Sequence, residues 1–383
     1  MKYPILAAAA LCALAGGSCQ ELILGPERAM LVPPSVQPTR FATVLDSLRY
    51  ALDLPALAAA IVTDDSIVEA AAVGSRRYGG PANVTSADQF HLGSCTKAFT
   101  ATLMAVLVDE GRVSWATTLG EAFPELASSM RPEYRTVTLR ELLSHSAGLL
   151  RDTRPTFDRG TMPERRAALA AWALAQPPIG PRGTFAYSNV GYIIAGAIAD
   201  RVAAAPFEEL MFAKVLRPLG ITSAGFGPMG TPGLADEPLQ HTTNHAVVEP
   251  TADADVDPIY DPSGRLHMSI GDWARFARWR LAAEAGHQTL LRDETARALT
   301  DSIVPYPGSA DSYAMGWVVA DRAWAGGRSL QHNGSNILNY ASAVLAPVAR
   351  WGMVVATNQG PGEAENPANP VLGRLIQFRQ SGR

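Results

Sequence analysis

Apolar positions along the chain change period twice, and the changes divide it into segments. From Thr39, a helix-capping residue type, Phe41, Val44, Leu45, Leu48 and Leu52 recur at helical spacing. Two short apolar runs over 56–63 and 66–74, parted by Asp64-Asp65, predict a β-hairpin. The centre reads as helices over 95–110, 139–143, 165–175 and 190–204. A polar stretch rich in Pro and Gly, 225–264, has no periodicity and predicts a long loop packed over another part of the molecule; loops of that length carry function or disorder. Strand-like segments return at 313–320, 329–334, 341–345 and 352–357, and a helix near 371–378 closes the chain. The predicted class is α+β: an antiparallel sheet built from both terminal segments (about 39–85 and 302–383) and flanked by helices, plus an all-helical lobe over about 90–300. There is no internal repeat.

The first residues have a different grammar. Lys2, an apolar run over 5–15 and Gly16-Gly17-Ser18-Cys19 follow the order of a secretory signal peptide over 1–19, and the Pro-rich residues 20–38 read as a tether. The run falls short of the ~18 residues that span a bilayer. Cys19 stands where a bacterial lipobox places its lipidated cysteine, although Gly16 replaces the usual aliphatic residue. Lipidation and simple cleavage therefore both stay open, and the expected location is the periplasm or a lipid anchor on the cell envelope. With Cys12 removed and Cys19 in the leader, Cys95 has no evident partner, so no disulfide framework is expected.

At 383 residues and 47% hydrophobic composition, the chain can bury one large core or two closely packed ones. A net charge of −4 supplies no basic field for nucleic acid. The expected partner is a small molecule or short peptide bound by a monomer, with membrane contact only through Cys19.

Composition matters most at Lys97. The chain has 32 basic residues, and its only lysines are Lys2, Lys97 and Lys214; the other 29 are arginines. Lys97 opens an almost wholly apolar run, 98–108, that must be a buried helix, and burial makes a charge expensive there. An arginine could not serve as a base in its place, because a guanidinium does not deprotonate in proteins. Three residues earlier, Ser94 shares its helix face, and a serine hydroxyl needs such a base to become a nucleophile. The positive end of the helix favours an anion at Ser94 and a neutral amine at Lys97. Tyr187 and Asn189 precede the apolar helix 190–204 and point the same way; a phenol can relay protons and an amide can bind lysine and substrate together. His332-Asn333-Gly334-Ser335 ends a strand. Gly334 would let a substrate backbone approach, and the Ser335 and Ser94 amides could form an oxyanion hole.

In order and spacing, Ser94-x-x-Lys97, Tyr187-x-Asn189 and His332-x-Gly334 resemble the three motifs of the class C β-lactamase and DD-peptidase family of serine hydrolases. The stretches 138–149, 185–196 and 218–221 resemble the family as well, so the likeness covers roughly 41–357. It implies a site between sheet and helical lobe, acylation of Ser94 by an amide, lactam or ester carbonyl, proton transfers shared by Lys97 and Tyr187, and no metal or organic cofactor. Histidine at 332, where the family's β-lactamases usually carry lysine, is similar to the DD-peptidases, D-amino-acid peptidases and some esterases. Being only partly charged, it would hold a substrate carboxylate less firmly than lysine.

Other readings fit less well. Cys95 should point into the core, about 100° around the helix from Ser94. A Gly-x-Ser-x-Gly elbow is absent. His241 and His245 lack an adjacent acidic ligand, Asp253-x-Asp255-x-Asp257 reads as a solvated acidic turn, and His145 and His267 read as structural. A β-lactamase proper, or a protein that captures ligands without turning them over, remain the alternatives to a hydrolase of D-amino-acid peptides or esters.

Overall fold

Thr39 Oγ1 accepts the Ala42 amide at 3.1 Å and starts the helix Arg40–Ala51, which lays Phe41 and Leu45 on a sheet. The computed structural model describes residues 39–153, 155–301, 304–361 and 368–381; the leader, the tether, Cys12 and Cys19 lie outside the described residues. The sheet has eight strands. From one edge to the other they are Ile67–Gly74, Ala56–Thr63, Trp351–Thr357, Tyr340–Ala346, Gly327–Ser335, Val318–Arg322, Ser312–Tyr313 and Val304–Pro305, and every pairing is antiparallel. The N-terminal hairpin joins the C-terminal strands at the second and third positions from one edge, where Leu57 faces Thr357 and Thr63 faces Trp351.

Side chains alternate across the sheet with period two. Leu57, Ala59 and Ile61 face the helices Arg40–Ala51 and Ala368–Gln380, while Ala58, Ala60 and Val62 join the larger core. Covered on both faces, the central strands are continuous apolar runs without polar alternation. The helix Ile270–Glu284 falls inside the span read as a helical lobe, yet it packs on the strands Ala56–Thr63 and Trp351–Thr357. That correction moves one long helix from the lobe to the sheet.

The helix Thr96–Asp109 is buried around its circumference from Thr96 to Leu107. Phe99 stacks on Phe276 at 3.7 Å between ring centres, tying this helix to Ile270–Glu284. Arg166, on the helix Met162–Leu174, is fully buried and forms forked pairs with Asp200 (2.7 and 3.0 Å) and Glu208 (2.7 and 3.2 Å). One guanidinium thus joins this helix to Asn189–Ala203 and Phe207–Met211.

The stretch 225–264 is more ordered than a loop. Gly225–Phe226 pairs with Leu266–Ser269 in a three-stranded sheet that includes Gln89–His91, Gln240–His241 pairs with Val247–Val248, and Asp261–Gly264 forms a short helix against Thr96–Asp109 and Asn189–Ala203. The solvated acidic turn is also corrected, because the Asp255 side chain is fully buried. It accepts from Asn336 Nδ2 at 3.1 Å and pairs with His91 Nε2 at 2.9 Å and Arg265 Nε at 3.4 Å. His241 is an internal pin that accepts the Tyr78 amide and donates to the Asn358 carbonyl.

Replacing Arg166 with Ala would leave Asp200 and Glu208 facing each other without their cation, and should cost about 3–5 kcal/mol. Urea melts of the two proteins read that loss as a fall in midpoint.

Candidate active site

Ser94 sits in a one-turn 3-10 helix, Gly93–Cys95, ahead of the helix Thr96–Asp109. Gly93 has φ +50, and a Cβ there would collide with the Ser335 amide; a Cβ on Gly334 would strike the Leu92 carbonyl and lie 2.6 Å from the Ser94 nitrogen. The nucleophile turn and the end of the strand Gly327–Ser335 are therefore in backbone contact. Gly334 makes room for that turn, which corrects the expectation that its bareness serves a substrate backbone. The same contact brings the Ser94 and Ser335 amides together at one wall of a cavity. The Gly93 amide donates to His91 Nδ1 at 3.1 Å, and His91 Nε2 faces Asp255, so a buried carboxylate fixes the imidazole that holds the turn. Cys95 is buried with Sγ 3.3 Å from the His332 carbonyl, and burial pushes its thiol up.

Lys97 is fully buried. Its Nζ lies 2.6 Å from the Ser263 carbonyl, 2.7 Å from Asn189 Oδ1 and 3.1 Å from Ser94 Oγ. Asn189 Nδ2 donates to Asp152 Oδ1 at 2.7 Å, which turns the amide oxygen toward the lysine. Burial drives the amine well below its ordinary range, and Asp152 opposes the shift only in part. A neutral amine has two protons and one lone pair. Ser263 O and Asn189 Oδ1 can only accept, so they take the protons and the lone pair is left facing Ser94.

Tyr187 Oη donates to Ser94 Oγ at 2.8 Å, and Ser94 in turn can donate to the lysine. Burial raises the phenol, so Tyr187 keeps its proton at neutral pH. Tyr187, Ser94, Lys97 and Asn189 are thus linked in that order by hydrogen bonds. His332 is also brought to the site, but not as a cation. Burial, with Lys97 adding to it, pushes its imidazole down to about 3. Nδ1 donates to the Asn333 carbonyl at 2.7 Å, leaving Nε2 to accept the Tyr313 hydroxyl at 3.0 Å. The partly charged histidine expected for a substrate carboxylate is a neutral, internally bonded one.

Two cavities meet at Ser94. One, about 390 Å³, is walled by Asp152, Asn189, Ser335 and Asn336, and by Val256, Asp257, Tyr260, Ser263 and Gly264 from the stretch read as a loop packed over another part of the molecule. The other, about 320 Å³, is walled by Arg151, Tyr187, Tyr306, Tyr313, Val318, His332 and Asn333. Sequence reasoning missed Arg151, Asp152, Ser263 and Tyr313. Arg151 and Asp152 lie just past the family-like stretch 138–149, with one residue intervening, and that nearness is the signal that pointed their way; a main-chain carbonyl such as that of Ser263 leaves none.

A model of the family described as Beta-lactamase matches residues 41–378. Penicillin-binding protein 4 of Amycolatopsis lactamdurans is 26% identical over 337 residues, which cover 82% of this chain and 84% of that protein. An unguisins hydrolase of Aspergillus campestris is 24% identical over 307 residues, 76% of this chain and 56% of the relative, so the chain spans little more than half of that protein. Among solved structures, the D-alanine carboxypeptidase AmpC of Burkholderia cenocepacia superposes with a TM-score of 0.68 at 19% identity, covering 87% of this chain and 96% of that one. The antiparallel sheet with its helices is the fold of these neighbours.

A lysine whose value falls on folding binds fewer protons in the folded chain than in the unfolded one. Its contribution to stability is therefore unfavourable at low pH and recovers as pH rises toward the unfolded value of ~10.4. Urea melts of wild type and Lys97→Met should show the wild type gaining on the variant as pH rises, by at most about 1.4 kcal/mol per unit. Lys97→Arg should lower kcat by about 10³-fold or more, since the guanidinium cannot take the serine proton.

Proposed function

The chain belongs to the Beta-lactamase family of serine hydrolases, and from that premise we propose that it cleaves a small amide or ester through an acyl-enzyme on Ser94. The observation that carries this reading is the buried Lys97 Nζ 3.1 Å from Ser94 Oγ, with two acceptor-only oxygens, Asn189 Oδ1 and the Ser263 carbonyl, as its other partners. Ser94 Oγ attacks the carbonyl carbon as its proton passes to Lys97. The carbonyl oxygen takes the negative charge beside the Ser94 and Ser335 amides. Collapse expels the leaving group, which receives the Tyr187 proton, and the proton that Lys97 took from the serine then restores the phenol. Water then repeats the sequence on the acyl-enzyme and frees the acid.

Tyr187 walls only the smaller cavity, so the leaving group lies there and the acyl group occupies the larger one. With His332 neutral, the cation on the leaving-group side is Arg151, whose guanidinium stands 5.4 Å from the Tyr187 ring centre. A peptide with a free C-terminal carboxylate suits that placement, and the likeness to a D-alanine carboxypeptidase favours a D-residue at that end.

Rates on a chromogenic cephalosporin, a D-Ala-D-Ala peptide and a short-chain nitrophenyl ester test the reading. The peptide or the ester should outpace the cephalosporin, and Ser94→Ala should lose about 10⁴-fold or more on every substrate. Full activity in that variant, or a stoichiometric acyl-enzyme that never releases product, would sink it. Arg151→Ala should raise KM for the carboxylate-bearing peptide about tenfold, equivalent to ~1.4 kcal/mol, and leave the ester unchanged.

A further inference from the structure

His145 carries two features that folding ordinarily avoids. Its backbone is left-handed, with φ +60, a region non-glycine residues enter at a cost. Its ring is 1% exposed, and Nε2 has no hydrogen-bond partner among the described residues. Nδ1 accepts the Ser188 amide at 3.1 Å, so the ring proton sits on Nε2 and the orphan is a buried N–H. An unpaired polar group of that kind calls for a compensating role.

The surroundings supply one. The ring centre lies 4.4 Å from that of Tyr187, 4.7 Å from Tyr313 and 5.2 Å from Tyr192, with Phe185 edge-on at 5.8 Å. The His145 carbonyl accepts the Ala186 amide at 2.7 Å. One residue therefore grips the chain on both sides of Tyr187 and rests its ring against the phenol. Ser188 is also the residue between Tyr187 and Asn189, and its hydroxyl donates to the Leu150 carbonyl while accepting the Gly191 amide. Holding the Ser188 amide thus sets the phenol on Ser94 and the Asn189 amide on Lys97 together. Burial, reinforced by Lys97 and His332, pushes the imidazole well down, which keeps Nδ1 free to accept.

We propose that His145 is a positioning residue of the acyl transfer, holding the 186–189 segment so that Tyr187 can deliver its proton to the leaving group. The proposal rests on the acyl-serine reading above. Its signature depends on the leaving group, because an amide nitrogen must be protonated to depart and a nitrophenolate need not be.

The experiment compares kcat and KM of wild type, His145→Phe and His145→Asn on a D-Ala-D-Ala peptide and a nitrophenyl ester, with a thermal melt of each protein. Phenylalanine keeps a ring and loses the acceptor. Asparagine tolerates the left-handed backbone and keeps an oxygen near the Nδ1 position. The Phe variant should lose about 10²-fold in kcat on the peptide, far less on the ester, with KM within about twofold. The Asn variant should recover most of the peptide rate. Equal losses on peptide and ester, or a folded Asn variant as impaired as the Phe variant, would overturn the proposal alone. A wild type that neither turns over these substrates nor labels at Ser94 with a fluorophosphonate would overturn the acyl-serine reading, and this proposal with it.

Discussion

A buried amine whose three hydrogen-bond partners are all neutral oxygens is the constraint around which the site is arranged. Those partners lie 3, 92 and 166 residues from Lys97 in the chain, so the nucleophile turn, the start of the Asn189–Ala203 helix and the short Asp261–Gly264 helix must converge on one nitrogen. Burial supplies the low proton affinity, and the acceptors decide where the lone pair goes. Neither would suffice alone. A buried lysine with a donor among its partners would turn its lone pair elsewhere, and an exposed one with the same partners would stay charged.

The other polar groups answer to that arrangement. Asp152 touches the lysine only through Asn189, so it orients the amide while adding modest attraction for a proton. On the opposite side of the nucleophile, Asp255 and His91 perform a comparable service for the Gly93 amide. Each of the two hydroxyls at the centre thus has a backbone neighbour tied to a buried imidazole: Gly93 to His91, Ser188 to His145. His332 is neutral for the same reason Lys97 is. Both side chains are buried, which disfavours the charged form, and two cations there would repel each other.

Much of this was legible in the residue pattern. The hairpin at 56–74, the return of strands after 313, the buried helix after Ser94 and the inward cysteine are local consequences of period, and the structure has them. The oddity of Lys97 was legible from arginine usage alone. What stayed hidden depends on distant contacts. The burial of Asp255 requires Asn336 and Arg265 around it, and nothing in Asp253-x-Asp255-x-Asp257 announces that. The neutrality of His332 follows from its enclosure rather than its motif. The reason for Gly334 is the opposing Gly93, 241 positions earlier by subtraction of their numbers, and a single strand end cannot reveal what presses against it.

The pairing of an early strand with the last one also bears on folding. The Ala56 amide donates to Asn358 Oδ1 across 302 residues, and the nucleophile turn leans on Gly334. Contacts so distant in sequence form late, after the entropy of a long loop has been overcome. On a ribosome, the serine and lysine are therefore made early and remain without their supporting strand for most of translation. The nascent chain has the serine and the lysine but not the turn that brings them together, and that geometry arrives only with the last strands.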